Sequence, residues 1–313
     1  MSRPLRCLLL LPALLLLAAA AQAGPPRVVA SIIPVYALVA GVMAGVAGPV
    51  LLLRGSASPH DYSLRPSDVR AINAADVAFW IGPALEGVLV KPLANAAQVR
   101  SVPLLEAPGV QRLPRRQGGA WGDHDHGHDH DPTHPDDADP HIWLDPRNAM
   151  AMTRHIAAVL SDLDPGNADR YRQNAQALLN RLEQLDQELA ASLAPLKDAP
   201  YVVFHDAYHY FERRYGLHPV GAITINPEQP PGARRIRDIR DRIRAGQARC
   251  VFSEPQFQPD LIATLLEGTG AGSGVLDPVG AGLEADTDAY FTLLRGLAGA
   301  LRGCLGGGGG LSR

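Results

Sequence analysis

Short apolar runs alternating with polar turns and amphipathic stretches organise this chain. Arg27–Ile33 (RVVASII) reads as a buried strand, followed by a helix of small residues to about Ala47. Val50–Leu53 is a second apolar strand, and Gly55–Pro66 is polar and turn-rich. Ser67–Ala75 reads as a helix with Ser67 as its cap, and Val77–Ile81 as another strand. Strands alternating with helices in this way predict a parallel α/β layer.

The tract 115–140 interrupts the layer and is expected to lack structure of its own without metal. Asp145–Leu163 resumes as a helix. Asn167–Leu196 is the longest periodic segment, with Leu178, Leu182, Leu185, Leu189, Leu193 and Leu196 recurring at steps of three and four. At about 1.5 Å per residue it would run roughly 45 Å. Such a stripe suits a coiled-coil strand or a helix packed across two lobes. The second is favoured, because the α/β pattern restarts with a strand at Tyr201–Phe204 and a helix at Ala207–Tyr215. Further strands follow at Ala222–Ile225, Arg249–Ser253 and Ser273–Leu276, with an Arg-rich helix at Gly232–Ala245 and a closing helix at Asp288–Leu305. The charge run of the Arg-rich helix marks a solvated face. No sequence repeat links the two halves. The expected architecture is therefore α/β, with a first lobe at 24–164, a linking helix at 165–197, a second lobe at 198–306 and a flexible glycine tail at 307–313.

The ends and the charge narrow the class. Residues 1–23 read as a secretory signal: Arg3 and Arg6, an apolar Cys7–Ala20 run, then a small-x-small Ala21-Gln22-Ala23 cleavage site. The apolar run is shorter than the roughly 20 residues of a spanning helix. Cleavage after Ala23 predicts an exported, periplasmic protein. The formal charge of −3 becomes −5 once Arg3 and Arg6 are removed, which offers no basic nucleic-acid face. Of three cysteines, Cys7 leaves with the signal, so Cys250 and Cys304 are expected to form one disulfide. A thiolate metal site is the rival, and the missing C-x-x-C pattern counts against it.

Histidine supplies the candidate chemistry. Asp123–Asp131 alternates His124, His126, His128 and His130 with aspartate and glycine, and His134 follows. Imidazole and carboxylate together suit borderline divalent ions, zinc above all, and such a tract offers many loose sites rather than one shaped one. Three other histidines lie in loops just after strands, where open α/β sheets place their ligands. His60 lies in Ser58-Pro59-His60-Asp61-Tyr62, His141 in Asp139-Pro140-His141-Ile142-Trp143, and His205 ends Tyr201–Phe204. An ion held by all three would sit between the lobes. Zinc with three imidazoles needs a fourth donor. Asp277 is the first candidate, with Glu254, either as a ligand or behind one, and water as alternatives. His155, His209 and His218 read as ordinary helix or helix-exit residues.

The motifs around these residues resemble those of a known family. Ser58–Asp68 (SPHDYSLRPSD), His141–Pro146 (HIWLDP) and Val203–Tyr208 (VFHDAY) are similar, in order, to the metal motifs of the periplasmic zinc-binding proteins of ABC uptake systems, the ZnuA type. Asn226-Pro227-Glu228, Val251–Phe257 (VFSEPQF) and Leu276–Gly280 (LDPVG) match in order too. The resemblance covers essentially the whole mature chain. It implies two α/β lobes joined by a long rigid helix, with zinc in the cleft and His60, His141 and His205 as its ligands. It supports the Cys250–Cys304 disulfide. It also implies that the protein captures Zn²⁺ and delivers it to an inner-membrane permease, doing no covalent chemistry. A monomer is expected, and the tract's His124, His126, His128, His130 and His134, none of which carries over from the family individually, are expected to act as a weaker zinc collector or sensor. A zinc hydrolase and a zinc-stabilised surface adhesin are the competing classes. There is no H-E-x-x-H motif and no evident general base for the first, and the second requires the mature chain at the cell surface.

Overall fold

The computed structural model describes residues 24–55, 57–116, 138–225, 231–257 and 260–306. The signal segment, the five histidines of the His/Asp tract, Asn226-Pro227-Glu228 and the tail at 307–313 lie outside the described residues.

Two sheets of four parallel strands form the frame. The first contains β1 (Val28–Ala30), β2 (Val50–Leu51), β3 (Val77–Trp80) and β4 (Arg100–Pro103), in the order β2-β1-β3-β4. The second contains β5 (Tyr201–His205), β6 (Pro219–Thr224), β7 (Cys250–Ser253) and β8 (Gly272–Val275), in the order β6-β5-β7-β8. Both halves thus share one strand order, a topological repeat that the sequence does not display. Every pairing is parallel. β1, β3 and β5 are buried along their whole length, which is why they read as unbroken apolar runs.

Helices cover the sheets. α1 (Ile33–Val42) and α2 (Pro66–Ala74) precede β3, α3 (Gly87–Asn95) precedes β4, and α4 (Pro146–Leu163) leads into α5 (Ala168–Leu193). In the second half α6 (His209–Tyr215), α7 (Ala233–Arg244), α8 (Asp260–Leu266) and α9 (Ala289–Leu305) alternate with the strands. The leucine stripe of α5 is buried along its length, from Tyr171 to Leu193. α5 lies along α4 and touches both α1 of the first half and α9 of the second. It is a spine within one chain, not a strand of a coiled coil. Arg214 and Tyr215 of α6 bond to the buried carboxylate of Asp186 on α5, at 2.8 Å from Arg214 Nε and 3.2 Å from the Tyr215 hydroxyl. One continuous apolar core runs from Val28 to Leu305 through both halves, and a smaller one lies under α7 and α8.

Several local expectations are corrected. The cap of α2 lies two residues before Ser67: Pro66 occupies the first helical position, Arg65 is the cap residue, and the Asp68 carboxylate accepts from the Arg65 N–H at 2.8 Å. Proline fits that position because its fixed φ suits a helix start and it has no N–H to leave unpaired. α1 ends at Val42, not near Ala47, and β2 is only two residues long. α3, β4 and α8 are elements that the hydrophobic pattern did not reveal. The tract beginning at Arg115 has folded margins, since Pro114 bridges to Ala138 and Arg115 Nε donates to the Ala138 carbonyl at 3.2 Å.

Cys250 and Cys304 form the expected disulfide, joining the start of β7 to the end of α9. β8 is moulded to it. A Cβ on Gly272 would stand 2.9 Å from Cys304 Sγ, and one on Gly274 would stand 2.6 Å from the Phe252 ring. Only glycine allows β8 to approach so closely.

Leu182 is fully buried in the α5 stripe. Leu182→Ala should cost about 3 kcal/mol of unfolding free energy, as for other buried leucines. Denaturant unfolding measures it, and a loss below about 1 kcal/mol would contradict a spine packed on both halves.

Candidate metal centre

Ligands of open α/β sheets gather at the carboxyl ends of the strands, and the three motif histidines do the same. His60 sits in a single 3-10 turn, Pro59–Asp61, after β2, where Ser58 Oγ accepts from the His60 N–H at 3.3 Å. His141 precedes a second such turn, Ile142–Leu144, and His205 is the last residue of β5. His141 and His205 are buried, while His60 is partly exposed. Their Nε2 atoms converge: His60 to His141 is 3.3 Å, and His141 to His205 is 3.4 Å. Four-coordinate zinc with Zn–N bonds of about 2.0–2.1 Å spaces its nitrogens about 3.3–3.4 Å apart. Two of the three pairs therefore stand at a zinc tetrahedron's spacing, and all three donor atoms lie within 4.8 Å of one another.

Carboxylates fix which nitrogen faces inward. Asp139 Oδ1 lies 2.7 Å from His141 Nδ1 and accepts the His141 N–H at 3.0 Å. Both Glu254 oxygens lie 2.7 Å from His205 Nδ1. An ionised carboxylate only accepts, so each Nδ1 carries the proton and each Nε2 presents a bare lone pair. Two bare lone pairs about a hydrogen-bond length apart repel one another unless a cation lies between them. Sheet register brings Glu254 to its place. Tyr201 pairs with Cys250 and Val202 with Val251, and the same register carried three residues on sets His205 beside Glu254.

The protonation equilibria agree. Burial pushes His60 and His141 well below the ordinary imidazole value, reinforced by neighbouring positive charge, including that of Arg115. Burial also acts to lower His205, but the charge and hydrogen bond of Glu254, helped by Asp206 and Asp139, outweigh it and raise its pKa. Burial pushes Asp139 up to about 6. The buried Asp139 carboxylate also lies within electrostatic reach of the Arg115 and Arg116 guanidiniums. Arg116 pairs with Asp206 and, at 2.8 Å, with Glu212. A cavity of about 430 Å³ opens onto His60 and His141, with Arg115, Asp139 and Asp206 in its wall.

The other named residues behave differently. Asp277 does not join the cluster. Its carboxylate accepts the backbone N–H groups of Val279 (3.1 Å), Gly280 (2.9 Å) and Ala281 (2.6 Å) and the Gln256 side-chain amide (3.1 Å). Those bonds make it the organiser of a turn. Glu254 stands behind His205. Sequence reasoning gave no role to Asp139, two residues before its histidine, nor to Trp143. The Trp143 indole donates to the Pro278 carbonyl at 2.7 Å, and the Trp143 carbonyl accepts from the Tyr290 hydroxyl at 2.7 Å. Trp143 thus bolts the His141 segment to the second lobe. His209, treated as an ordinary helix residue, opens α6 with its Nδ1 3.7 Å from Asp139 Oδ2, and burial pushes its pKa down to about 4.

Two parallel-sheet lobes on a common spine, with three imidazoles converging between them, define a metal-binding protein of the cleft type. The family profile described as "Zinc-uptake complex component A periplasmic", ZnuA, matches residues 28–304. The chain is 44% identical over 304 residues to the high-affinity zinc uptake system protein ZnuA of Brucella abortus, covering 89% of this chain and 91% of that protein. A crystal structure of ZnuA superposes with a TM-score of 0.72 at 27% identity, over 88% of this chain and 99% of that one. The periplasmic zinc-binding protein TroA of Treponema pallidum, at 21% identity, shares the fold with a TM-score of 0.76 over 90% and 99% of the two chains. The chain belongs to the ZnuA family, the periplasmic zinc-binding components of zinc uptake systems, whose role is solute binding and not catalysis.

A proton on His205 competes with the metal, whereas His60 and His141 are already neutral. Zinc affinity should therefore be constant well above the raised His205 pKa. Below it, affinity should fall about tenfold per pH unit, with one proton released per zinc bound. Chelator-competition titrations across a pH series measure this, and a pH-independent affinity from pH 5 to 8 would contradict it. Asp139→Asn should weaken zinc binding about 10- to 100-fold by freeing the His141 ring.

Proposed function

We propose that His60, His141 and His205 bind Zn²⁺ and that the protein hands this cargo to an ABC-type permease in the inner membrane. The observation that carries the reading is the Nε2 spacing of 3.3 and 3.4 Å, with two of the three Nδ1 atoms locked by carboxylates. Three neutral imidazoles favour zinc over manganese, which takes more oxygen donors. The protein holds the ion without transforming anything. Both carboxylates nearest the trio are committed to imidazole Nδ1 atoms, which leaves neither poised as a general base.

Export follows from cleavage after Ala23, and the mature chain acts as a monomer. His124, His126, His128, His130 and His134 form an auxiliary, weaker collector beside the cleft site. An alternating His/Asp tract supports this, because it supplies many donors and no apolar residues to shape them.

The test is a titration of metal-stripped mature protein with Zn²⁺ against a competing chelator, with Mn²⁺ alongside. One tight zinc site plus weaker ones is expected. His205→Ala should remove the tight site, and deleting 123–137 should remove only the weak ones. Manganese binding equal to zinc, or a tight site surviving His205→Ala, would contradict the reading.

A further inference from the structure

A second, much smaller cavity touches all three histidines. It measures about 10 Å³, close to the room one water needs, and Gln256 and Phe257 help to wall it. Gln256 Nε2 donates to Asp277 Oδ1 at 3.1 Å. Because a carboxylate only accepts, the amide cannot be turned round, and Oε1 is its other end. That oxygen is buried and has no hydrogen-bond partner among the described residues. A buried acceptor left unpaired is costly and calls for a donor. Three imidazoles, meanwhile, leave a tetrahedral zinc ion one ligand short.

We propose that Gln256 selects the fourth zinc ligand, a water molecule whose O–H donates to Gln256 Oε1. The inference rests on the three-histidine reading of the site. An acceptor at this position favours a ligand with a proton to give. Water fits, while chloride, thiocyanate and carboxylates, which only accept, are disfavoured. Phe257 stacks on Phe204, with ring centroids 4.5 Å apart, and keeps this side of the site apolar. Asp277 then acts on the metal at one remove. Its turn-building bonds and its grip on the Gln256 amide aim Oε1, so Gln256 and Asp277 are positioning residues for the fourth ligand.

Cobalt(II), one equivalent on metal-stripped mature protein, reports the ligand set by its visible absorption. The wild-type spectrum should be four-coordinate and little changed by thiocyanate. Gln256→Leu and Gln256→Met should bind thiocyanate at least about tenfold more tightly, with a shifted spectrum, and lose about tenfold in zinc affinity. A wild-type protein that takes up thiocyanate readily overturns the proposal without any variant. So do Gln256 variants with an unaltered spectrum and thiocyanate response, provided His205→Ala abolishes the spectrum. A spectrum that survives His205→Ala overturns the three-histidine reading itself, and this inference with it.

Discussion

Bare imidazole lone pairs held face to face are the constraint on which the rest of this structure depends. Left alone, the inward Nε2 atoms of His141 and His205 would repel or swing apart. The protein prevents this from behind, through Asp139 and Glu254, whose bonds to Nδ1 orient the rings and keep the lone pairs pointing inward. The backbone of Asp139 is itself held. The Asp139 carbonyl accepts from the Tyr210 hydroxyl at 2.8 Å, and that hydroxyl accepts from the Leu113 N–H at 2.9 Å. A rigid frame therefore holds the rings in the orientation that suits a cation.

Rigidity has to extend across the lobes, because His60 and His141 belong to one and His205 to the other. The continuous core, the α5 spine and the Trp143 bolt supply it. Hinges usually lie in a few loop or element-end residues, whereas here a packed interface joins the halves. A site formed in advance spends little binding energy on closing around its cargo. The equivalent strand orders add an economy of design. Each sheet turns its carboxyl ends toward the cleft. The first contributes loops after β2 and beyond β4, and the second contributes β5 and β7 at the point where its order reverses.

Much of this was legible in the sequence, for physical reasons that also mark where legibility stopped. Buried parallel strands such as Val77–Trp80 and the α5 leucine stripe carry strong periodic signals. β4 (Arg100–Pro103) is a half-exposed edge ending in proline, α3 carries Pro92 inside it, and β8 is half glycine because the disulfide crowds it. None of these looks regular from residue types alone. His60, His141 and His205 stood out as strand-exit histidines within family motifs. The partnership of His205 with Glu254 depends on the β5–β7 register, which sequence spacing does not contain. Asp277, the first candidate for a fourth donor, accepts the backbone N–H groups of Val279, Gly280 and Ala281, an arrangement that its place before a proline does not reveal.

The most direct measurement is anomalous diffraction at the zinc absorption edge from crystals of mature protein loaded with one equivalent of Zn²⁺. The account predicts one dominant peak about 2.0–2.1 Å from the Nε2 atoms of His60, His141 and His205. A dominant peak elsewhere, or one that reaches only one lobe's histidines, would contradict it.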